Sequence, residues 1–447
     1  MPRPNSRPSA HRLVRCTAVL PLLAATLCSG ALRPASPARA ASTVVTMLAL
    51  ADQVPEMQKI AAQFHILHPD IAISIQGVPF DALFQQNQVR LSSGASSPDV
   101  VQVDAPVVAS YAVQGFLAPL DAAFSKDDLA QFVPASLQSS YYLKHLLATP
   151  LNSSGQALYY NKDLLAAAGV PFPANDVKQR LTWERLATMA QKAQVTTGGK
   201  VSAWGLVIDQ IERPYQLLPL PESLGGKPIS ADGLHTTGVI NSAPWVKAFT
   251  YYYDLFNTLG VSPKSATDAE TANLFQAGHA AFFWGGPWWA PYFLSAKKLH
   301  FGYAPSPYFA GGRPVTPNDS WHLGVNRHSA SFAAAAAFVR YITVGPGNDR
   351  WAADGGNFQV PSLTREIQKT LTDPSFATFP NSLARLTAQE AQDTAIPRPI
   401  TPGYGEYQDI LTAAFNNIRT GQKPQAALDD AAAKIDRALQ KYRNAPH

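Results

Sequence analysis

The sequence predicts an α/β protein made of two lobes, each a mostly parallel sheet flanked by helices. Short β-rich runs alternate with helical stripes along the chain, and the alternation starts again after Pro150. Once an N-terminal leader is set aside, residues 41–447 remain, which is more than one hydrophobic core usually organises. We therefore expect two lobes with helices on the faces of each sheet.

Residues 1–40 are predicted to be a secretory signal peptide. An apolar run over residues 16–31 precedes a small-x-small cleavage site, Ala38-Arg39-Ala40, and follows four arginines, Arg3, Arg7, Arg12 and Arg15. A transmembrane anchor is the alternative, but the apolar core is shorter than the roughly 18 to 20 residues that span a bilayer. A lipid anchor would need Cys28, and the large Leu27 before it departs from that pattern. We expect a soluble periplasmic or secreted protein.

The charge and cysteine content of the mature chain exclude several partners. Removing residues 1–40 takes away six arginines and no acid, so Lys+Arg falls from 36 to 30 against 31 Asp+Glu. A net charge near zero gives no reason to expect nucleic acid as a partner. Both cysteines leave with the leader, and the ten histidines have no metal-binding spacing. We expect no cofactor, no metal and no disulfide.

The first lobe begins with a strand at residues 43–50, followed by a helical stripe through Met57, Ile60 and Phe64 that Pro69 stops. Ile71, Ile73 and Ile75 alternate as a second strand. A helix is predicted over residues 81–91, a strand over residues 99–103, and a helix between Pro106 and Gly115. Strands separated by helices predict parallel neighbours with right-handed crossovers.

The second lobe repeats this alternation. A strand is predicted at residues 156–160, and Asn161 caps a helix that Gly169 ends. Thr182 opens another helix, residues 242–259 form a helix rich in aromatic side chains, and residues 274–283 pass from helix to strand. Residues 304–317 are predicted to be a crossing loop, because a strand at residues 321–325 and a helix at residues 331–342 follow at once. Residues 409–418 and 424–442 are predicted to be amphipathic helices.

Nine stretches occur in an order that is similar to a known family. They are residues 64–75 (FHILHPDIAISI), 98–120, 155–170 (GQALYYNKDLLAAAGV), 182–186 (TWERL), 275–288 (FQAGHAAFFWGGPW), 321–325, 355–361 (GGNFQVP), 398–407 (RPITPGYGEY) and 426–438. Together they resemble the extracellular solute-binding proteins of carbohydrate ABC importers, the group that includes maltose- and trehalose-binding proteins.

The resemblance implies a periplasmic-binding-protein clamp of type II, in which the chain crosses between the lobes three times. The crossings are expected near Pro150, Ala310 and Thr343. Residues 41–150 plus 311–343 would form lobe 1, and residues 151–310 plus 344–447 would form lobe 2.

Polar residues at strand ends and crossings are candidates for binding a sugar, because hydroxyls pair with planar polar groups and ring faces lie on aromatic side chains. Such groups belong beyond the carboxyl ends of the strands. Gln53 follows the first strand, Asp104 follows the strand that ends at Val103, and Asn152 and Ser154 lie at the first crossing. Helix capping and ordinary loop chemistry are the alternatives.

The segment Trp284-Gly285-Gly286-Pro287-Trp288-Trp289 is the most informative. Buried indole N–H groups need partners, so three tryptophans so close together are hard to explain as core alone. The resemblance implies that Trp288 stacks on the sugar, with Trp284 and Trp289 as supporting core. It further implies that Gly356 and Asn357 offer polar groups after the third crossing, and that Arg398 reaches the ligand or latches the lobes. A simple turn and a surface salt bridge are the alternatives.

The resemblance predicts a monomeric, non-enzymatic binding protein that delivers a sugar to the permease subunits of an ABC importer. A glycerophosphodiester or glycerol-3-phosphate ligand is the nearer alternative, but it would need several cations in the cleft, where Arg398 and Arg213 are the candidates. A glycoside hydrolase would need paired carboxylates, and none are evident. A lectin would not need a hinge.

Overall fold

The computed structural model describes residues 43–209, 211–318, 320–355 and 358–443. The predicted signal peptide and its cleavage site lie outside these residues, as do Gly356 and Asn357. The strands, in chain order, are β1 (Thr43–Leu50), β2 (Ile71–Val78), β3 (Val100–Asp104), β4 (Tyr141–Tyr142), β5 (His145–Leu146), β6 (Ala148–Pro150), β7 (Ala157–Asn161), β8 (Val195–Thr197), β9 (Lys200–Ile208), β10 (Ala280–Gly285), β11 (Phe301–Pro305), β12 (Thr316–Pro317), β13 (Trp321–Val325) and β14 (Ala395–Ile396).

Helices surround these strands. They are α1 (Val54–Leu67), α2 (Phe80–Ser92), α3 (Val108–Val113), α4 (Lys126–Leu129), α5 (Pro134–Gln138), α6 (Lys162–Ala167), α7 (Trp183–Ala193), α8 (Pro214–Leu217), α9 (Pro219–Ser223), α10 (Ala243–Asn257), α11 (Asp268–Gln276), α12 (Ala290–Ser295), α13 (Phe332–Thr343), α14 (Pro346–Arg350), α15 (Thr364–Thr372), α16 (Ser382–Asp393), α17 (Tyr404–Thr420) and α18 (Pro424–Leu439). Among these helices, none has the length and hydropathy needed to cross a bilayer.

Two five-stranded sheets carry the two lobes. The first sheet has the order β2-β1-β3-β13-β6, and the second has the order β11-β7-β10-β9-β8. The predicted two-lobed α/β class is confirmed, but the expectation of mostly parallel sheets is wrong. In the first sheet, β13 runs antiparallel to both β3 and β6. In the second, only β9 and β10 pair in parallel, so both sheets are mixed.

Each lobe has its own apolar core. In the first lobe, Phe64 of α1 and Phe338 of α13 pack with Leu323 of β13. In the second lobe, Trp183 of α7 and Trp284 of β10 meet at 4.5 Å between ring centroids, and Phe249 stacks on Phe415 at 4.4 Å. Trp284 is fully buried and its indole N–H donates to Ser306 Oγ at 2.7 Å, which supports its expected role in the core.

The chain passes from the first sheet to the second after β6, and returns between β11 and β13. Trp351 and Leu363 still pack in the first core, whereas Leu383 packs with the second sheet. Phe358 also packs against the second core, so residues 351–383 contact both cores, and the third crossing near Thr343 stays a prediction. The lobe boundaries themselves stay predictions.

Candidate ligand-binding site

The site is built from the end of β10, where the chain turns through Gly286 into a 3₁₀ turn at Pro287–Trp289. The half-buried Trp288 indole lies directly over Gly286, because a Cβ on Gly286 would come within 2.1 Å of the ring. Glycine is therefore required here for close approach and not for an unusual backbone angle, since its φ is −77°. The turn presents one aromatic surface at the carboxyl end of β10, the central strand of the second sheet.

Tyr215, in α8, extends this aromatic surface. Its ring centroid is 6.0 Å from that of Trp288, at an interplanar angle of 48°. Burial raises the pKa of Tyr215 well above its usual range, and a hydrogen bond with Ser154 opposes that rise. Tyr215 was not among the predicted site residues. The sequence does place Tyr215 shortly after a strand and a loop, in Arg213-Pro214-Tyr215, and that position could have marked it as a candidate site residue.

Arg398 connects the aromatic surface to the first lobe. Its guanidinium lies 5.1 Å from the centre of the Tyr215 ring and makes a bidentate pair with Asp104, with Nη1 to Oδ2 at 3.1 Å and Nη2 bonded to Oδ1. The side chains are only 5% and 13% exposed. We call Asp104, Arg398, Tyr215 and Trp288 the Trp288 group. The structure brings these residues together, although it pairs Asp104 and Arg398 with each other.

Asn152 and Ser154 lie at the first passage between the sheets, and both are buried. The Asn152 amide nitrogen donates to Ser153 O at 3.0 Å and to Gln359 Oε1 at 2.8 Å. The Asn152 carboxamide oxygen is buried without a hydrogen-bond partner among the described residues. Ser154 reaches the Trp288 group through Tyr215.

Gln53 lies where β1 ends, and its side chain is engaged inside the first lobe. Gln102 Nε2 donates to Gln53 Oε1 at 2.7 Å, and Gln102 Oε1 accepts from Leu50 N at 2.8 Å. These bonds give Gln53 a structural role in linking β1 to β3. Its expected contact with ligand stays a prediction.

A second contact joins the lobes near Trp321 of β13. Phe80 and Phe84 of α2 pack on the Trp321 ring, and the Arg213 guanidinium lies 4.7 Å from the centre of the Phe80 ring. Arg213 also pairs with Asp81 at 3.1 Å. The two arginines predicted as candidates for binding an anion are therefore each paired with a carboxylate. Arg213 pairs with Asp81 of α2, and Arg398 pairs with Asp104 of β3.

The chain forms two α/β lobes, and aromatic and amide side chains gather where the lobes meet. This architecture is typical of proteins that enclose a small solute. Residues 50–344 match the family model of bacterial extracellular solute-binding proteins, and this chain belongs to that family.

Relatives of known name support this assignment along nearly the whole chain. A putative binding protein of Brucella abortus is 25% identical over 399 residues, covering 87% of this chain and 90% of that one. The sn-glycerol-3-phosphate-binding periplasmic protein of Pectobacterium atrosepticum is 25% identical over 416 residues, covering 87% and 88%. The GacH receptor of Streptomyces glaucescens, solved unliganded and with acarbose, is 25% identical with a TM-score of 0.74, covering 90% and 98%.

Proposed function

We propose that this protein is the substrate-binding component of an ABC-type sugar importer. It captures a mono-, di- or oligosaccharide by hinge closure and delivers it to the permease subunits in the membrane. The observation that carries this proposal is the Trp288 group, in which an aromatic surface of one lobe meets a paired arginine and carboxylate across the cleft. Stacking surfaces beside polar groups suit the two faces of a sugar ring.

The same proposal includes the setting in which the protein works. It acts as a monomer in the periplasm or outside the cell, after removal of residues 1–40, and it binds without catalysing a reaction. Membership of an extracellular solute-binding family supports this setting. The acarbose complex of the GacH receptor supports a saccharide as ligand.

Glycerol 3-phosphate is the second candidate ligand, because a relative that covers most of the chain is named for binding it. A phosphate ester needs cations that are available to it. Arg398 is balanced by Asp104 and Arg213 by Asp81, so the net charge of these pairs favours an uncharged guest.

Calorimetric titration of the mature chain with maltose, maltotriose, trehalose and sn-glycerol 3-phosphate tests the proposal. We expect a saccharide to bind and Trp288→Ala to weaken that binding about a hundred-fold, as loss of a central aromatic contact does. Trp204→Ala is the matched control, because Trp204 is half-buried at the opposite end of the second sheet, paired with Ala280. The proposal fails if no saccharide binds, or if the two variants bind alike.

A further inference from the structure

Glu390 of α16 is a buried carboxylate that lies outside the Trp288 group. Arg180 pairs with it through both ends of its guanidinium, with Nη1 to Oε1 at 2.6 Å and Nη2 to Oε2 at 3.1 Å. Arg180 Nη1 also donates to the backbone oxygen of Ser306, which directly follows β11. The side chains of Arg180 and Glu390 are only 4% and 0% exposed, so the second lobe encloses this ion pair.

Two threonines share the same carboxylate. Thr316 Oγ1 donates to Glu390 Oε2 at 3.0 Å, and Thr394 Oγ1 lies 2.6 Å from that oxygen. The threonines also belong to a small parallel sheet, because Thr316 of β12 pairs with Ala395 of β14 and Thr316 N donates to Thr394 O at 3.0 Å. We call Glu390, Arg180, Thr316 and Thr394 the Glu390 cluster. It fastens β12 and β14 to the second lobe.

The chain leads from β14 directly to Arg398, which comes two residues after the strand ends. Arg398 stands between Pro397 and Pro399, whose rings fix φ and whose nitrogens cannot donate hydrogen bonds. The residue before each proline is also kept out of the helical conformation. Few backbone rotations could therefore absorb a displacement of β14 before it reaches Arg398. On the far side, α17 begins at Tyr404, which packs in the second core.

The charges of the Glu390 cluster favour a role in geometry over a role in stability. Taking a carboxylate and a guanidinium out of water costs about as much free energy as their attraction returns, so a buried ion pair is a weak source of stability. Its best-attested use is to fix one arrangement among several. Here the arrangement is the placement of β12 and β14, because both strands reach the carboxylate that Arg180 neutralises.

We propose that Glu390 is a positioning residue that sets where Arg398 meets Asp104. This inference rests on the proposed function and deepens it, because the Asp104–Arg398 pair joins the lobes beside the Tyr215 ring. Loosening β14 should cost Arg398 its two-point contact with Asp104. The contact between the lobes and the affinity for ligand should then weaken together.

The combined variant Thr316→Val/Thr394→Val tests the proposal, since it removes both hydroxyls from Glu390 and leaves the Arg180 ion pair in place. We expect the saccharide that binds, among maltose, maltotriose and trehalose, to bind about three-fold to ten-fold more weakly in calorimetric titration. Small-angle scattering of the ligand-free variant should give a larger radius of gyration. Thr394→Val alone is the milder version and should change both quantities in the same direction.

Thr370→Val is the matched control. The Thr370 hydroxyl is buried on α15 and donates to the backbone oxygen of Glu366 at 2.8 Å, so its loss removes a similar hydrogen bond that does not reach β14. This variant should keep the affinity and the scattering curve of the wild-type protein.

A double-mutant cycle with Arg398→Met separates positioning from a general loss of packing. If Glu390 acts through Arg398, the threonine substitutions should have little further effect on affinity or radius of gyration once Arg398 is replaced. Effects that add in full, or threonine variants that match Thr370→Val, would overturn the role of Glu390. Scattering of the ligand-free proteins decides this even if no saccharide binds, and that second outcome would remove only the proposed function.

Discussion

Histidine 322 is a buried titratable residue at the centre of the first lobe. It lies on β13, is fully buried, and its Nε2 lies 3.2 Å from the backbone oxygen of Ser136. Burial lowers its pKa from 6.5 to about 4, and the charge of Arg398 acts in the same direction. The folded protein therefore holds this imidazole neutral over a pH range in which the unfolded chain would protonate it.

This shift predicts a pH-dependent loss of stability. Because the folded pKa lies below the unfolded value, the unfolded state binds the extra proton, and stability falls as pH falls from about 6.5 towards 4, by up to about 3 kcal/mol. Urea unfolding at pH 7, 5.5 and 4.5 measures the slope, which His322→Gln should reduce. The exposed His328 provides the control, since His328→Gln should keep the wild-type slope. Equal slopes in all three proteins would contradict the prediction.

Single residues also mark the limit of sequence reasoning about the site. Asp104, Asn152, Ser154, Trp288 and Arg398 could be selected because each stands at a strand end, a crossing or a distinctive motif. The pairing of Asp104 with Arg398 could not be foreseen, since the two residues are far apart in the chain and only the tertiary fold brings them together. Tyr215 was missed because its approach to Trp288 depends on how α8 packs against the turn after β10.

The turn after β10 is the element on which the aromatic surface depends. Gly286→Ala is permitted by the backbone, but the added methyl would enter the space of the Trp288 ring. We expect ligand affinity to fall about ten-fold to a hundred-fold, the equivalent of an overpacking cost of about 1–3 kcal/mol. Calorimetric titration measures the affinity, and thermal unfolding reports stability beside it.

Gly405→Ala is the matched substitution. Gly405 lies in the first turn of α17, where an added Cβ meets nothing within 4 Å. Alanine there should leave affinity unchanged and stabilise the protein by about 0.5 kcal/mol, since it limits the freedom of the unfolded chain. If Gly286→Ala binds as tightly as Gly405→Ala, the Trp288 ring is not held in place by that turn.

At the scale of elements, the sequence located most helices and strands. The helix predicted over residues 242–259 is α10, and the helix-to-strand passage predicted over residues 274–283 contains the end of α11 and the start of β10. Strand direction was the error, because a buried apolar run such as β13 has the same composition whether its neighbours run parallel or antiparallel.

For the whole molecule, three polar contacts join residues of the two predicted lobes. The Asp104–Arg398 pair spans the cleft, Tyr404 N donates to Ser110 Oγ at 3.2 Å, and Arg213 reaches Asp81. The pair that holds Asp104 is largely buried, whereas Asp81 is 87% exposed. The Asp104–Arg398 pair should therefore contribute far more to holding the lobes together than the Arg213–Asp81 pair.

Asp104→Asn tests this difference. Breaking a buried ion pair costs about 3–5 kcal/mol, and the residual exposure of Asp104 favours the lower end. We expect the ligand-free variant to have a larger radius of gyration than the wild-type protein in small-angle scattering, and saccharide to reduce the difference. Asp81→Asn, in the exposed pair, should change stability by under about 1 kcal/mol and leave the scattering curve unchanged. Identical scattering curves for both variants would contradict the role of the Asp104–Arg398 pair in holding the lobes together.

The strand order of the first sheet also affects how the chain acquires its structure during synthesis. β6 has β13 as its sheet neighbour, and β13 is made only after the whole second sheet has emerged from the ribosome. β1, β2 and β3 can pair with one another before then, but β6 has no partner in this sheet until β13 is made, and contacts so distant in sequence form slowly. The export that we propose requires an unfolded chain, and late completion of this sheet would favour that state.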